Sequence, residues 1–257
     1  MVGRQKISLL LCLLPCALLV GCGGGGSEAG SYSWGWYIFN PMQAKGLSNL
    51  QFLIGGLTAT LLVSLCAIVL SVILGASVAL AGLSRRPALR RVNRVYVELF
   101  RAIPLLVLLL WVFYGLPVII GLQLGVFATG VLSLALSDSA FEAEVFRAGI
   151  QSVPKGQIEA AKSLGLSWYQ QMRLVVMPQA IKVILPALGN QFVYVLKMSS
   201  LVSVIGLQEL TRRANELNVN EYRPLEIYTL LVGEYLLLIL VVSYLVRRLE
   251  RRLANAN

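Results

Sequence analysis

The sequence predicts an all-α, polytopic membrane helix bundle of about five core transmembrane helices, with a separate apolar segment at the N-terminus. Three observations carry that expectation. Of the 257 residues, 57% are hydrophobic and only 13% are charged, against roughly 25% charged in soluble domains. Too few charges remain to cover a water-facing surface. Uncharged runs recur at or beyond the ~20 residues that a bilayer crossing requires. The runs are continuous, which favours helices over the short alternating strands of a membrane barrel.

In chain order, Gly46 to Ser84 carries no charge and places a long helix over roughly Leu53 to Leu83, its first turns interfacial. Ala102 to Ser137 is again uncharged and too long for one crossing. Gly115, Pro117, Gly121 and Gly125 break it into two helices joined by a short turn. A further run from about Ile184 to Leu207 is interrupted by Lys197. The last crossing, Leu225 to Val246, holds Glu226 near its start and Glu234 inside. Gly75 and Ala79, on one helical face, permit close helix approach, as such pairs do in many membrane bundles.

The charges between these runs orient the chain. Arg85, Arg86, Arg90, Arg91 and Arg94 form one basic cluster, and Arg247, Arg248, Arg251 and Arg252 form another. Loops rich in Lys and Arg stay in the cytoplasm, so Arg85–Arg94, Arg147–Lys182 and the C-terminus fall inside. The turn near Gly121 and the stretch from Glu209 to Arg223 fall outside. The net charge of +10 is therefore topological and does not mark a nucleic-acid surface. Histidine is absent, which removes histidine acid–base chemistry and histidine metal sites. Cys12, Cys16, Cys22 and Cys66 lie in or beside apolar segments without paired spacing. No catalytic residue, metal site or cofactor is expected.

Residues 1–22 stand apart. Arg4 and Lys6 precede an apolar run from Ile7 to Val20, then Gly21, Cys22 and a Gly-rich stretch. This is signal-peptide architecture, and Leu19-Val20-Gly21-Cys22 resembles a bacterial lipoprotein processing site with Cys22 as the lipidated residue. The alternative is an uncleaved extra transmembrane helix. Both place residues 23–45 outside as a flexible Gly-rich linker, and leave 46–257 as the membrane domain.

The segment between the third and fourth core helices is the most informative. It reads Val153-Pro154-Lys155-Gly156-Gln157, then Glu159-Ala160-Ala161-Lys162-Ser163-Leu164-Gly165, and later Val175-Val176-Met177-Pro178-Gln179-Ala180. Good helix formers followed by Gly165 spell a short helix with a glycine terminator. Leu166 to Val176 restarts the helical pattern and Pro178 punctuates it. On residue chemistry alone this is a helix–turn–helix along the membrane face, and an ordinary amphipathic loop remains open.

The same residues resemble the EAA loop of permease subunits of ATP-binding cassette (ABC) importers. The resemblance covers about Leu57 to Leu245, with Val175 and Met177 standing where Ile and Leu are more usual. Arg101-Ala102-Ile103-Pro104-Leu105-Leu106, Phe141 to Ile150, Leu185-Pro186, Asn190-Gln191, and Lys197 with Ser200-Leu201 are similar to the polar amino acid uptake subfamily. Met198-Ser199 replace the frequent Asp-Thr beside that lysine, a departure bearing on any charge pairing of Lys197. The resemblance implies a type I importer transmembrane domain in a bacterial inner membrane. It implies a coupling helix at Glu159, Ala160, Ala161 and Gly165 that seats on a cytoplasmic ABC ATPase dimer. A second permease copy or close paralogue and an external substrate-binding protein complete the complex. No Gly-rich nucleotide loop ending in Lys-Ser/Thr is present, so ATP hydrolysis belongs to a partner. A secondary transporter or channel subunit without an ATPase is the alternative, and it has no need of a coupling loop.

Ionisable groups inside spans are costly and need an explanation. Asp138 and Glu142 share one helical face, with Glu144 beside them. They either face the bundle as partners for a substrate cation or sit at the cytoplasmic interface paired with Arg147. Lys197 either pairs internally or snorkels. Glu234, near Tyr228 and Tyr235, is either a pathway residue or an interhelical anchor. Glu159 either meets the partner or caps its own helix.

The N-terminal alternatives are separated by intact-mass spectrometry of the membrane-extracted protein. Processing predicts a chain beginning at a lipidated Cys22. A mass that retains Arg4 and Lys6 refutes it.

Overall fold

The structure is a computed structural model and describes residues 32–255. The apolar segment, Cys22 and most of the Gly-rich stretch lie outside the described residues. Residues up to Trp34 form a unit of their own, in which Tyr32 and Trp34 stack edge-to-face at 5.4 Å. Everything below concerns the second unit, from Gly35 onward.

Eleven α-helices follow among the described residues: α1 Ala44–Ile54, α2 Gly56–Leu83, α3 Pro87–Ala102, α4 Leu105–Leu110, α5 Leu116–Ile120, α6 Val126–Gln151, α7 Lys155–Ser163, α8 Trp168–Gln171, α9 Met177–Met198, α10 Leu210–Glu221 and α11 Pro224–Asn255. Four stretches are long and apolar enough to cross a membrane: Ala44–Leu83, Val126–Gln151, Trp168–Ile205 and Pro224–Arg252. A fifth crossing is supplied by Leu105–Ile120, which follows Pro87–Ala102 at a bend of 100°. The expected all-α bundle of about five crossings is what forms.

Local chemistry explains where the helices turn. Gly121 takes a left-handed φ of 69°, closing α5 and opening the turn to α6. The break expected at Gly115 and Pro117 is not a turn. Trp111–Gly115 is a single π turn that leads directly into Leu116–Pro117, and Met172–Val176 is another that leads into Met177–Pro178. A proline ring collides with the carbonyl four residues earlier. The wider i→i+5 turn gives that carbonyl room, so the chain keeps its helical course through both prolines. Pro178 therefore does not punctuate the loop, and the fourth crossing begins near Trp168, well before Ile184. Arg85–Arg94, read as a loop from its charge, lies mostly in helix α3, with Pro87 in its first turn.

The centre of the bundle is the packing of α2 on α6. In lipid there is no hydrophobic drive between apolar helices, so close fit must supply the attraction. Along α2 the buried face is Thr60, Val63, Ser64, Ala67, Ser71, Gly75 and Ala79, mostly small or hydroxylated. Along α6 it includes Thr129, Gly130, Ser133, Ser137, Ser139, Ala140 and Ala143. Hydroxyls are absorbed locally: Thr60 Oγ1 donates to Gly56 O at 3.2 Å and Ser64 Oγ to Thr60 O at 2.7 Å. At one end, Ile38 and Phe39 join Leu53, Leu196, Leu210, Leu217 and Ile227 in a core, so the packed chain begins before residue 46. At the other end, Val153, Val176, Ala180 and Ile184 form a separate core around the loop.

Gly75 sets the α2–α6 separation. A Cβ there would lie 2.8 Å from Glu142 Cβ and 3.0 Å from Ser139 O. Gly75→Val should lower stability by about 1–3 kcal/mol through overpacking. The check is the thermal midpoint of the detergent-solubilised protein. Gly233→Ala, at a site with nothing within 4 Å, is the control expected to leave the midpoint close to wild type.

Candidate functional site

Helix α7 is built as a short, exposed rod with one anchored face. Ile158 is half-buried against the Val153–Val176–Ala180–Ile184 core and Ala161 is buried. Glu159 and Ala160 point outward. The helix ends in a Schellman motif, with Gly165 N–H donating to Lys162 O at 3.0 Å and Leu166 N–H to Ala161 O at 3.2 Å. Gly165 supplies the left-handed residue, φ 74°. Two residues on, Ser167 opens α8 with a capping box, each partner of the Ser167–Gln170 pair bonding the other's backbone N–H. The sharp turn is thus fixed at both sides. Glu159 is the fifth residue of α7, which has no acidic residue in its first turn, so the self-capping alternative does not apply. Leu164, 80% exposed, with Trp168 and Tyr169, adds apolar surface beside the rod.

The five ionisable candidates fall into four places. Asp138 and Glu142 stay together, both buried. Asp138 accepts from Ser71 Oγ of α2 at 2.6 Å and from Gln191 Nε2 of α9, so its carboxylate joins three helices. Glu142, one turn on beside Gly75, has no hydrogen-bond partner for either carboxylate oxygen among the described residues. Glu144 pairs with Arg147 at 2.5 Å, both partly exposed. The interfacial reading thus fits Glu144, whereas Asp138 and Glu142 sit inside the bundle. Lys197 is exposed and lines a cleft of about 420 Å³ between α9 and α11 with Asn190, Tyr194, Arg247 and Glu250. Glu234 borders a different cleft of about 480 Å³, otherwise walled by Leu57, Leu61, Leu237, Val241 and other apolar side chains. One Glu234 oxygen is buried without a hydrogen-bond partner among the described residues.

Sequence reasoning misses Ser71, because a serine in an apolar run carries no distinctive signal, and it reaches Gln191 only through the Asn190-Gln191 resemblance. Glu209 escapes it as well. It is fully buried at the head of α10, where its carboxylate accepts from Arg212 N–H at 2.7 Å and Tyr235 Oη–H at 2.8 Å. Burial pushes the Glu209 carboxyl above the usual carboxylate range, with these bonds pulling the other way. Glu226, also buried, accepts from Gly35 N–H. Both acids fasten loops to the bundle. Among the described residues no group of His, Cys, Asp and Glu could hold a metal ion.

Known proteins match this architecture over most of its length. The family model described as binding-protein-dependent transport system inner membrane component matches residues 67–255. The chain is 38% identical over 208 residues to the "Probable glutamine ABC transporter permease protein GlnM" of Bacillus subtilis, covering 81% of this chain and 96% of that protein. It is 33% identical over 209 residues to the "Arginine transport system permease protein ArtQ" of the same organism, covering 81% and 95%. Among solved structures, the crystal structure of an amino acid ABC transporter with histidines has a TM-score of 0.76 and 42% identity over 80% of this chain and 96% of that one. These matches favour the importer over a secondary transporter or channel. ATP hydrolysis lies in a separate subunit, and an ATPase and a substrate-binding protein are the family's partners. The chain belongs to the family of binding-protein-dependent transport system inner membrane components, as the multi-pass permease subunit of an ABC importer.

Proposed function

We propose that this permease imports polar amino acids, basic ones among them, across a bacterial inner membrane, with α7 as the ATPase-coupling helix. The observation that carries the coupling role is the construction of α7: outward Glu159 and Ala160, inward Ile158 and Ala161, and a turn pinned by Gly165. A rod of this kind receives a push and passes it to the core beneath. Two ATPases engage two such rods, one on this chain and one on a second copy or close paralogue. The external binding protein delivers substrate at the opposite end, near α10. Positive loops put α3, α7 and the C-terminus in the cytoplasm. The amino-acid assignment draws on the glutamine and arginine permeases and the amino acid transporter to which the chain is similar.

The basic preference rests on Asp138 and Glu142. Two neighbouring carboxylates are buried in the bundle, and only Asp138 has hydrogen-bond donors among the described residues. A lone buried carboxyl is costly as an anion and is held neutral in the absence of a counter-charge, so an approaching cation is what favours its charged form. Lys197 lies in a separate cleft and is not placed to neutralise them.

Two outcomes are expected. Within this chain Gly165→Val meets no neighbour, since nothing lies within 4 Å of the position a Cβ would take, so its effect on the chain itself comes from the backbone. Holding a β-branched residue at that φ costs about 1–2 kcal/mol and should displace the turn. Substrate-stimulated ATP hydrolysis by the reconstituted complex should fall severalfold with normal membrane insertion, while Gly165→Asn, which tolerates left-handed φ, keeps most of it. Full stimulation in the valine variant removes α7 from the coupling path.

In proteoliposome uptake, arginine or lysine should compete better than glutamate, and Asp138→Asn or Glu142→Gln should narrow that gap. A substrate ranking unchanged by both variants refutes the acidic-pathway reading without touching the coupling role.

A further inference from the structure

Helix α3 is the least explained element of the fold. It is rich in arginine and meets the following membrane segment only across a bend of 100°. Asn93 Nδ2 donates to Val78 O of α2 at 2.9 Å, and Gly82 of α2 leaves room for the Asn93 side chain. Tyr96 Oη meets Ser139 Oγ of α6 at 2.8 Å, and Val97 is buried with Ala79 and Ala143. Arg101 stacks over Phe141 at 5.1 Å. One face of α3 therefore touches α2 at 78–82 and α6 at 139–143, and the chain then bends by 100° into the next membrane segment.

Two faces remain. Val92, Val95 and Leu99, at i, i+3 and i+7, form a stripe that is 62%, 57% and 51% exposed. Beside it runs a basic edge of Arg90, Arg91 and Arg94, continued by Arg85 and Arg86 ahead of the helix, all exposed. None of these five arginines forms an ion pair among the described residues, unlike Arg147 with Glu144 and Arg212 with Glu216. The one acid on the helix, Glu98, is exposed and does not offset them. The second basic cluster lies at the same end of the bundle: Gly189 of α9 abuts Val246 and Glu250 of α11, and Ile184 abuts Gly149 near the end of α6.

We propose that α3 is a docking surface for anionic phospholipid headgroups. The exposed Val92–Val95–Leu99 stripe lies in the acyl region and the arginine edge meets the phosphates. An amphipathic helix with one apolar stripe and one cationic edge lies in the interface plane and gains from anionic lipid. Each arginine near such a surface adds attraction that falls off within a Debye length. A protein partner would have to cover both the apolar stripe and the adjoining basic edge, whereas a single lipid layer supplies both chemistries in that order. The inference is independent of which amino acid is carried.

The test is lipid selectivity of the purified permease–ATPase complex, read by electron paramagnetic resonance with spin-labelled phosphatidylglycerol against spin-labelled phosphatidylcholine. The wild type should prefer phosphatidylglycerol, and high salt should erode the preference. Arg90→Gln/Arg91→Gln/Arg94→Gln should weaken the preference about tenfold or more, with the Arg247–Arg252 cluster holding the remainder. The triple Arg→Lys variant should retain it, because charge and not guanidinium shape is required. Equal binding of the two lipids by the wild type, or no response to salt, overturns the proposal, and these readings stand even where the glutamine variant does not assemble. So does a glutamine variant that keeps its lipid preference but loses the ATPase, which would give the arginines to the protein partner.

Discussion

The structure depends on how closely α2 can approach α6. Inside a bilayer, apolar surface gains nothing by leaving lipid for protein, so helices adhere through contact and polar pairing. Small residues along α2 bring its backbone within van der Waals range of α6, closest at Gly75, where Glu142 and Ser139 occupy the space a side chain would take. That proximity lets Ser71 reach Asp138. It also fixes the platform on which α3 lies, through Ala79, Ser139 and Ala143. Bulk on this face would separate the pair and loosen everything attached to it.

Close approach has a consequence for the buried acids. Asp138 is held by donors from two other helices, an arrangement that binds a carboxylate firmly and records the relative position of α2, α6 and α9. Glu142 lies one turn away on the same face but has no donor of its own among the described residues. A fully satisfied network rigidifies a core, and a half-satisfied one is costly unless something else completes it. The unbonded oxygens of Glu142 are thus the observation on which the proposed cationic preference rests.

Features governed by local backbone chemistry or by run length are legible in the sequence. Gly165 announces a left-handed helix end, and the Glu-Ala-Ala spacing announces the exposed rod before it. What escapes is whatever depends on a neighbour. Arg85–Arg94 reads as a loop because charge dominates it, yet Asn93, Tyr96 and Val97 carry a helical face whose partners on α6 lie far along the chain. Pro117 and Pro178 read as breaks because the π turns that accommodate them have no residue signature. Five ionisable residues stand in the sequence as pathway candidates, each with a structural alternative, and depth in the bundle separates them: Glu144 finds Arg147, Lys197 faces a cleft, Glu234 an apolar wall.

On the proposed coupling role, α9 is the element that joins the two ends of the problem. Its first turns, Ala180 and Ile184, are part of the core on which Ile158 of α7 rests. Ile184 also sits against Gly149 of α6, where any Cβ would lie 2.3 Å from it, so the contact is too tight to slide without moving one helix. Two turns further along, Gln191 of the same helix donates to Asp138. Pro186 falls within that stretch, where it removes one i→i−4 backbone bond and gives α9 a point of bending, while the packed interfaces on either side switch between discrete arrangements rather than deforming smoothly. A displacement of α7 that enters α9 is absorbed in the π turn at Met172–Val176, absorbed at Pro186, or carried to the Gln191–Asp138 bond. The π turn adjoins the same core, with Val176 buried in it and Met172 packed against it, which limits how much motion it can absorb. Contacts from the proposed coupling rod to the helix that carries the buried acids thus run directly, through Val145, Phe146 and Ile150 of α6, and also by way of α9 and the Gln191–Asp138 bond.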